Sequence, residues 1–216
     1  TTILIILICS IYTGFGSSID IFISSLFYKN DGNFILQNYD IASILVRKLF
    51  MVFLLLYLFI LPLLSFFLPI KKIYFNKIFS VKEVLFIFVG ALLNLIVIVN
   101  VLLKNLWGRA RPNDIVELGG AENFTPWFEL SNSCDVNCSF VSGDASVGFS
   151  LILFYFLTKN KFFIWGALFS GFLLGVIRIL EGGHFLSDVF MACIIIFIIS
   201  FIQFYFFKSK VLKNVY

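Results

Sequence analysis

The sequence predicts an all-α membrane protein, a polytopic helical bundle with about six transmembrane helices. Two observations support this fold class. Of the 216 residues, 61% are hydrophobic and only 13% are charged, which is far too apolar for a soluble domain of this size. The apolar residues also fall into runs long enough to cross the roughly 30 Å hydrocarbon core of a bilayer. With no internal repeat to divide it, the chain is predicted to form one domain over residues 1–216.

Six apolar runs are the candidate membrane helices. In chain order they cover residues 2–27, 49–70, 81–103, 145–158, 162–177 and 186–207. The first run is long and lacks both a basic start and a small-residue cleavage site, so we expect a membrane helix there rather than a signal peptide. The chain starts with Thr1 rather than Met, which is compatible with a further segment upstream. The fourth and fifth runs are short for a complete crossing.

Local signals predict where two of these helices begin and end. Ser80 and Glu83 have capping-box spacing immediately before the third run, which predicts a helix start. Gly182 and Gly183 are predicted to break the chain between the fifth and sixth helices. Small residues recur every four positions in the fifth run, at Ala167, Gly171 and Gly175. This stripe would let another helix approach closely.

The lysine distribution predicts the orientation in the membrane. Nine lysines lie in or beside the loops after the second, fourth and sixth runs: Lys71, Lys72, Lys77, Lys82, Lys159, Lys161, Lys208, Lys210 and Lys213. By the positive-inside rule these loops are cytoplasmic, and six crossings place both termini inside. We attribute the net charge of +4 to this topology and expect no nucleic-acid partner.

Three polar clusters interrupt the apolar sequence at the predicted outer ends of the helices. They contain, in chain order, Lys104 with Arg111 and Pro112, then Ser142, Gly143 and Asp144, then Arg178, His184 and Asp188. Three cations, a hydroxyl and a backbone amide can bind phosphate oxygens, and His184, the only histidine, can act as a nucleophile oriented by Asp188. Because acidic residues lack ligand spacing and no second histidine exists, neither a metal nor another cofactor is expected.

The order and spacing of these clusters resemble the type 2 phosphatidic acid phosphatase (PAP2) superfamily, which includes membrane lipid phosphatases and soluble vanadium haloperoxidases. The resemblance implies a haloperoxidase-like helical core over about residues 81–207 and a phosphohistidine intermediate formed on His184, with Asp188 to orient it. It also implies that the phosphate is bound by Lys104, Arg111, Ser142, Gly143 and Arg178. The six apolar runs argue against a soluble haloperoxidase.

Asp144 is the main departure from that family pattern. Most superfamily members have histidine at this position, where it protonates the leaving oxygen. We expect Asp144 to take over as general acid, which requires the carboxyl to be protonated when the bond breaks. A catalytically silent lipid-binding or transport protein is the alternative that this departure leaves open.

The substrate is predicted to be a phosphorylated lipid, reached from the periplasmic side of the bacterial inner membrane. Residues 107–112, the 134–138 segment that runs directly into Ser142, and Asp144 look most like bacterial lipid A phosphatases, especially the 4'-phosphatases. Undecaprenyl diphosphate, phosphatidylglycerophosphate and phosphatidic acid stay open as substrates, because no motif reads the alcohol half. Membrane lipids are the other expected partners.

Four further residues have roles that the sequence leaves open. Cys134 and Cys138 lie in the long outer segment 105–141, where a disulfide and two free thiols are equally compatible with the sequence. Arg109 is either an interfacial anchor or a substrate contact. Asp20 is expected at the membrane interface. The outer segment itself is expected to cover the site or contact a headgroup.

Overall fold

The computed structural model describes residues 18–29, 32–36, 41–67 and 79–211. Most of the first predicted run, the end of the second, and Lys71, Lys72, Lys77 and Lys213 lie outside these described residues. Within them the regular structure is helical, and the only strand-like pairs are two isolated bridges, Tyr28 with Phe34 and Ile115 with Glu122.

The helices follow the predicted order. Helix α1 covers residues 18–26 of the described chain, and α2 is Ile41–Phe67. Helix α3 starts at Val81–Leu92, continues with π-helical hydrogen bonding over Leu93–Leu103, and ends as Lys104–Trp107. Two 3-10 turns, Pro112–Asp114 and Val116–Leu118, lie in the outer segment. The remaining helices are α4 (Gly143–Phe149), α5 (Ile152–Thr158), α6 (Phe162–Leu180) and α7 (Leu186–Val211).

Four stretches of the described chain are long and apolar enough to cross a membrane. They are Leu45–Leu64, Val81–Asp114, Phe162–Leu180 and Leu186–Ser209. Helices α4 and α5 together form a shorter apolar stretch, Gly143–Thr158, which at 1.5 Å per residue extends over about 24 Å. The chain is therefore a polytopic membrane bundle, as predicted, with four full-length spans among the described residues.

Small residues bring the central helix α4 against α6. A β-carbon on Gly148 would lie 2.4 Å from the backbone nitrogen of Gly171, and one on Gly171 would lie 2.3 Å from the Phe149 ring. On the same face of α6, a β-carbon on Gly175 would lie 2.3 Å from Val189 of α7. The predicted small-residue stripe is confirmed, because only glycine at these positions lets the helices approach so closely.

The predicted helix ends are also found. Ser80 and Glu83 form a complete capping box at the start of α3. Helix α6 ends at Leu180, and Gly182 has a φ of +66°, the left-handed conformation that favours glycine. The N–H of Gly183 donates to the carbonyl of Arg178 at 2.9 Å. This turn reverses the chain, so that His184 lies just ahead of the first residue of α7.

Candidate active site

The polar clusters predicted from the sequence lie at one end of the bundle. Lys104 is in the last segment of α3, Asp144 is in the first turn of α4, Arg178 is in the last turn of α6, and Asp188 is in the first turn of α7. Arg178, Asp144 and Asp188 are all close enough to Lys104 for direct electrostatic interaction. The fold therefore brings residues that are up to 84 positions apart into one site.

His184 is almost completely buried at the centre of this end, with 2% of its surface exposed. Its Nδ1 lies 3.7 Å from Oδ2 of Asp188, which is an electrostatic contact too long for a hydrogen bond. Burial lowers the pKa of His184 to about 4, with Arg178 and Lys104 adding to the shift and Asp188 opposing it. The imidazole is therefore neutral near pH 7, which leaves a nitrogen lone pair for nucleophilic attack.

Asp188 is fixed by hydrogen bonds on both carboxylate oxygens. Oδ1 accepts from Nη1 of Arg109 at 2.6 Å, and Oδ2 accepts from the Phe185 N–H at 2.8 Å. The Ser139 hydroxyl also donates to Oδ2. Because both oxygens are bound, the carboxylate cannot rotate, and Oδ2 keeps facing His184. This is the arrangement needed to orient an imidazole during catalysis.

Arg109 is the centre of a completely buried polar network. Its side chain is 0% exposed, and it donates to Asp188, to Oδ2 of Asp20 at 2.9 Å and to the Thr125 carbonyl at 2.8 Å. The guanidinium also lies over the Phe185 ring, 4.3 Å from its centroid. The two interpretations offered for Arg109, an interfacial anchor or a substrate contact, are therefore both wrong, because the side chain is completely buried and each guanidinium nitrogen donates to a protein group.

Asp20 completes that network from α1, and its expected place at the membrane interface is wrong. It is 0% exposed, and Oδ1 accepts from the Ser187 N–H at 2.9 Å. The Ser187 hydroxyl donates to Oδ2. The helix covers residues 18–26, so Asp20 lies inside it and faces the protein interior rather than lipid. The sequence signal that could have indicated such a role is an ionisable residue within an apolar run.

Lys104 and Arg111 both donate hydrogen bonds to Asn137, a residue for which the sequence predicted no role. Nζ of Lys104 donates to Oδ1 of Asn137 at 2.8 Å. Nε and Nη2 of Arg111 donate to the backbone oxygen of Asn137 at 3.2 and 2.7 Å. A β-carbon on Gly143 would lie 3.6 Å from the same Nζ, so the start of α4 is beside this pair of cations.

Asp144 is part of a second charged network that includes two residues missed in the sequence. Arg47 of α2 forms an ion pair with Asp144, and its Nε lies 3.0 Å from Oε1 of Glu181. Arg178 pairs with Glu181 through Nη1, and its Nε lies 3.8 Å from Oδ2 of Asp144. A β-carbon on Gly183 would lie 2.3 Å from Nη2 of Arg178, so a larger residue there would displace the guanidinium from its present position.

Ser142 occupies the N-cap position of α4, but its hydroxyl makes no cap hydrogen bond. The Oγ atom is buried, and no hydrogen-bond partner for it lies within the described residues. A buried hydroxyl without a partner is unfavourable unless a ligand supplies one. Ser142 is held in place by its backbone N–H, which donates to the carbonyl of Asp188 at 3.3 Å.

The outer segment contains a disulfide between Cys134 and Cys138. This finding decides between the two states that the sequence left open. The segment also reaches the site, through the contacts of Asn137 with Lys104 and Arg111. Among the described residues, no group of three or more His, Cys, Asp or Glu side chains is placed to hold a metal ion.

Three known proteins that are similar to this chain share the same name. A lipid A 4'-phosphatase from Francisella tularensis subsp. novicida is 39% identical over 125 residues, 56% of this chain and 56% of that protein. Lipid A 4'-phosphatases from Rhizobium leguminosarum and Rhizobium etli are each 39% identical, over 97 residues (44% of this chain and 42% of that protein) and 104 residues (46% and 40%). The chain thus spans about half the length of the curated relatives it matches. No solved structure matches it.

The family comparison covers the whole candidate site. The sequence model of the PAP2 superfamily matches residues 84–211, which is more than half of the chain. This segment includes the three predicted polar clusters, from Lys104 to Asp188. It excludes Asp20 and Arg47, the two residues that α1 and α2 contribute to the charged networks. On this match and on the helical membrane fold, the chain belongs to the PAP2 superfamily.

Proposed function

We propose that this chain is a metal-independent phosphoric monoester hydrolase of the bacterial inner membrane, which removes a phosphate from lipid A, with the 4'-phosphate as the favoured substrate. The proposal rests mainly on the surroundings of His184. His184 is buried and neutral, Asp188 fixes one side of it, and the cations Lys104 and Arg178 interact with it electrostatically. The similarity to three lipid A 4'-phosphatases supports the choice of substrate.

In the proposed first step, His184 attacks the phosphorus atom. Its Nδ1 faces Asp188, which leaves Nε2 free to form the new N–P bond. The bond from phosphorus to the sugar oxygen breaks as this bond forms. The positive charge that develops on the imidazole is stabilised by Asp188, whose position is set by Arg109. The product of this step is a phosphohistidine and the free alcohol.

The phosphate oxygens are proposed to bind at the cations and free donors around His184. Lys104, Arg111 and Arg178 supply positive charge, and the Ser142 hydroxyl and the Gly143 N–H supply hydrogen bonds. The Ser142 hydroxyl is suited to this role because it is buried without a partner in the described part of the chain. Donors that are already oriented toward the developing charge usually make the largest contribution to catalysis.

Asp144 is proposed to donate the proton that the leaving oxygen requires. Its carboxyl group lies beside Arg178, one of the cations proposed to bind the phosphate, and it also pairs with Arg47. In the second step Asp144, now a carboxylate, accepts a proton from water as the water oxygen attacks phosphorus. The N–P bond breaks, inorganic phosphate leaves the site, and His184 returns to its neutral form.

The active site is proposed to face the periplasm. Lys159 and Lys161 lie between α5 and α6, at the end of the bundle opposite His184, as the positive-inside rule requires for a cytoplasmic loop. Cysteine labelling tests this orientation in variants that keep the Cys134–Cys138 disulfide. Asn123→Cys should react with a membrane-impermeant maleimide in intact spheroplasts, and Lys161→Cys should react only after lysis. The reverse pattern would contradict the periplasmic assignment.

Purified protein in detergent can test the substrate assignment. Phosphate release is measured from lipid A, undecaprenyl diphosphate, phosphatidylglycerophosphate and phosphatidic acid, and mass spectrometry identifies the position lost from lipid A. We expect the highest kcat/KM for lipid A, with loss of the 4'-phosphate. A higher kcat/KM for another lipid would overturn the substrate assignment, and no release from any of them would favour a lipid-binding or transport protein.

A further inference from the structure

The loop closed by the Cys134–Cys138 disulfide lies directly on two of the proposed phosphate-binding cations. Lys104 and Arg111 interact repulsively, since both are positively charged and close together. Asn137 supplies an acceptor to each of them, its side-chain oxygen to Lys104 at 2.8 Å and its backbone oxygen to Arg111 at 2.7 Å. One residue therefore offsets the repulsion and holds the two cations side by side.

The backbone of Asn137 has an uncommon conformation that allows this double contact. Its φ is +55°, in the left-handed region that asparagine and glycine tolerate better than other residues. Both oxygens of Asn137 then face the same pair of cations. The ring closed by Cys134 and Cys138 contains Asn137, so the disulfide restricts the backbone at the position where the conformation matters.

The chain connects this ring directly to the catalytic residues. Cys138 is completely buried, which fixes one end of the ring in the protein. The next residue, Ser139, donates its hydroxyl to Asp188 and its N–H to the carbonyl of Arg109 at 2.9 Å. The ring is therefore anchored on the groups that orient His184, and Asn137 extends from this anchor to the cations.

We propose that Asn137 is a positioning residue for phosphate binding, and that the Cys134–Cys138 disulfide keeps it in place, so that the site binds phosphate strongly only while the disulfide is formed. The proposal rests on the phosphatase function proposed above. Lys104 and Arg111 keep further N–H groups for phosphate oxygens after binding Asn137. Two cations that are already held side by side in the correct geometry lose less side-chain conformational entropy when they bind phosphate.

This dependence would limit strong phosphate binding to protein in an oxidising compartment. Disulfides persist outside the cytoplasmic membrane and are reduced in the cytosol. The Cys134–Cys138 ring, Asn137 and the cations lie at the same end of the bundle as His184, opposite the Lys159 end. The site would therefore become fully competent only after the outer segment had been exported and oxidised.

Calorimetric titration with inorganic phosphate tests the proposal without requiring turnover. The full chain in detergent is measured before and after treatment with dithiothreitol, which transfers two electrons and two protons to the disulfide and leaves Cys134 and Cys138 as thiols. We expect the phosphate Kd to increase about tenfold on reduction, the order expected when charged donors lose an orienting partner. A Cys134→Ser/Cys138→Ser variant should bind as weakly as the reduced protein and should not respond to dithiothreitol.

Asn137→Gly separates positioning from stability and applies even if the reduced protein unfolds. Glycine adopts a φ of +55° readily and keeps the backbone oxygen for Arg111, but it removes the oxygen that binds Lys104. We expect a phosphate Kd several-fold higher with an unchanged melting temperature. Asn132→Gly, an exposed asparagine in the same segment, is the matched control and should bind phosphate normally.

Three results would overturn the proposal. The first is an equal phosphate Kd in the oxidised, reduced and Asn137→Gly proteins. The second is tighter binding after reduction or in Asn137→Gly, which would mean that Asn137 competes with phosphate. The third is no measurable phosphate binding in any form. If the Kd responds as expected but no lipid phosphate is hydrolysed, the proposed function fails while the role of Asn137 stands.

Discussion

The chain contains a single histidine, so the protonation of its proposed nucleophile can be measured directly. The structure lowers the pKa of His184 from 6.5 to about 4, chiefly because the imidazole is buried. Since each pKa unit corresponds to about 1.4 kcal/mol, the folded protein disfavours the protonated imidazole by about 3 kcal/mol. The predicted consequence is that His184 is neutral at every pH from about 5 upward.

The assay is an NMR titration of protein labelled with histidine that carries ¹³C at Cε1 only and purified without a histidine tag. One ring resonance should appear, with a midpoint well below 6.5. Inorganic phosphate should raise the midpoint, because a nearby dianion favours the imidazolium. The lowered pKa also makes the stability of the protein depend on pH. Between pH 6.5 and about 4 the unfolded chain binds a proton that the folded chain does not, so the free energy of unfolding should decrease as pH is lowered through this window. A midpoint at or above 6.5 would refute the reasoning.

Three further predictions address the other parts of the site. Asp144→Asn should reduce kcat for lipid A by about a hundredfold or more. The loss should be much smaller with an activated aryl phosphate, whose leaving group needs little protonation. Equal losses of kcat on both substrates would contradict the general-acid role. Asp20→Asn should destabilise the protein by about 1–3 kcal/mol, because Arg109 keeps Asp188 but loses a buried charged partner. The exposed control Glu129→Gln should have the melting temperature of the wild type. An unchanged melting temperature for Asp20→Asn would contradict the importance of the buried network. Activity on lipid A should survive a chelator, and loss that is restored by a divalent ion would show that a metal is required.

The sequence predicted several of the residues that the fold brings together at the candidate site. His184, Asp188 and Arg178 lie within eleven residues of one another, so a local pattern was enough to associate them. The glycine pair before His184 and the capping box of α3 are also local signals, and the structure contains both. The apolar runs predicted the membrane helices for the same reason, since burial in lipid requires a continuous hydrophobic stretch.

The residues that support the site could not be predicted in this way, because their partners are distant in sequence. Asp20 pairs with Arg109 across 89 positions, and Arg47 pairs with Asp144 across 97. A single sequence contains no pattern that connects such pairs. Asn137 was missed for a different reason, since it contacts Lys104 and Arg111 from a left-handed backbone conformation that composition does not reveal.

Charge pairing also explains why the start of the second helix was predicted too late. The apolar run begins at residue 49, after Arg47 and Lys48, but helix α2 starts eight residues earlier at Ile41. Arg47 is tolerated inside the helix because Asp144 and Glu181 neutralise it at the end of the bundle. Hydropathy alone treats any charge as a helix boundary, so it misses a helix whose charged residue is paired with other charged residues of the protein.

Trapping the covalent intermediate tests the central claim most directly. Purified wild-type protein is mixed with ³²P-labelled lipid A, quenched in alkali within milliseconds to seconds, and compared with His184→Ala. We predict a protein-bound label that is stable in alkali and lost in acid, as phosphohistidine is, in the wild type only. His184→Ala should retain the wild-type melting profile and carry no label. Label on the His184→Ala protein, or rapid turnover by the wild type without any bound label, would contradict the phosphohistidine mechanism.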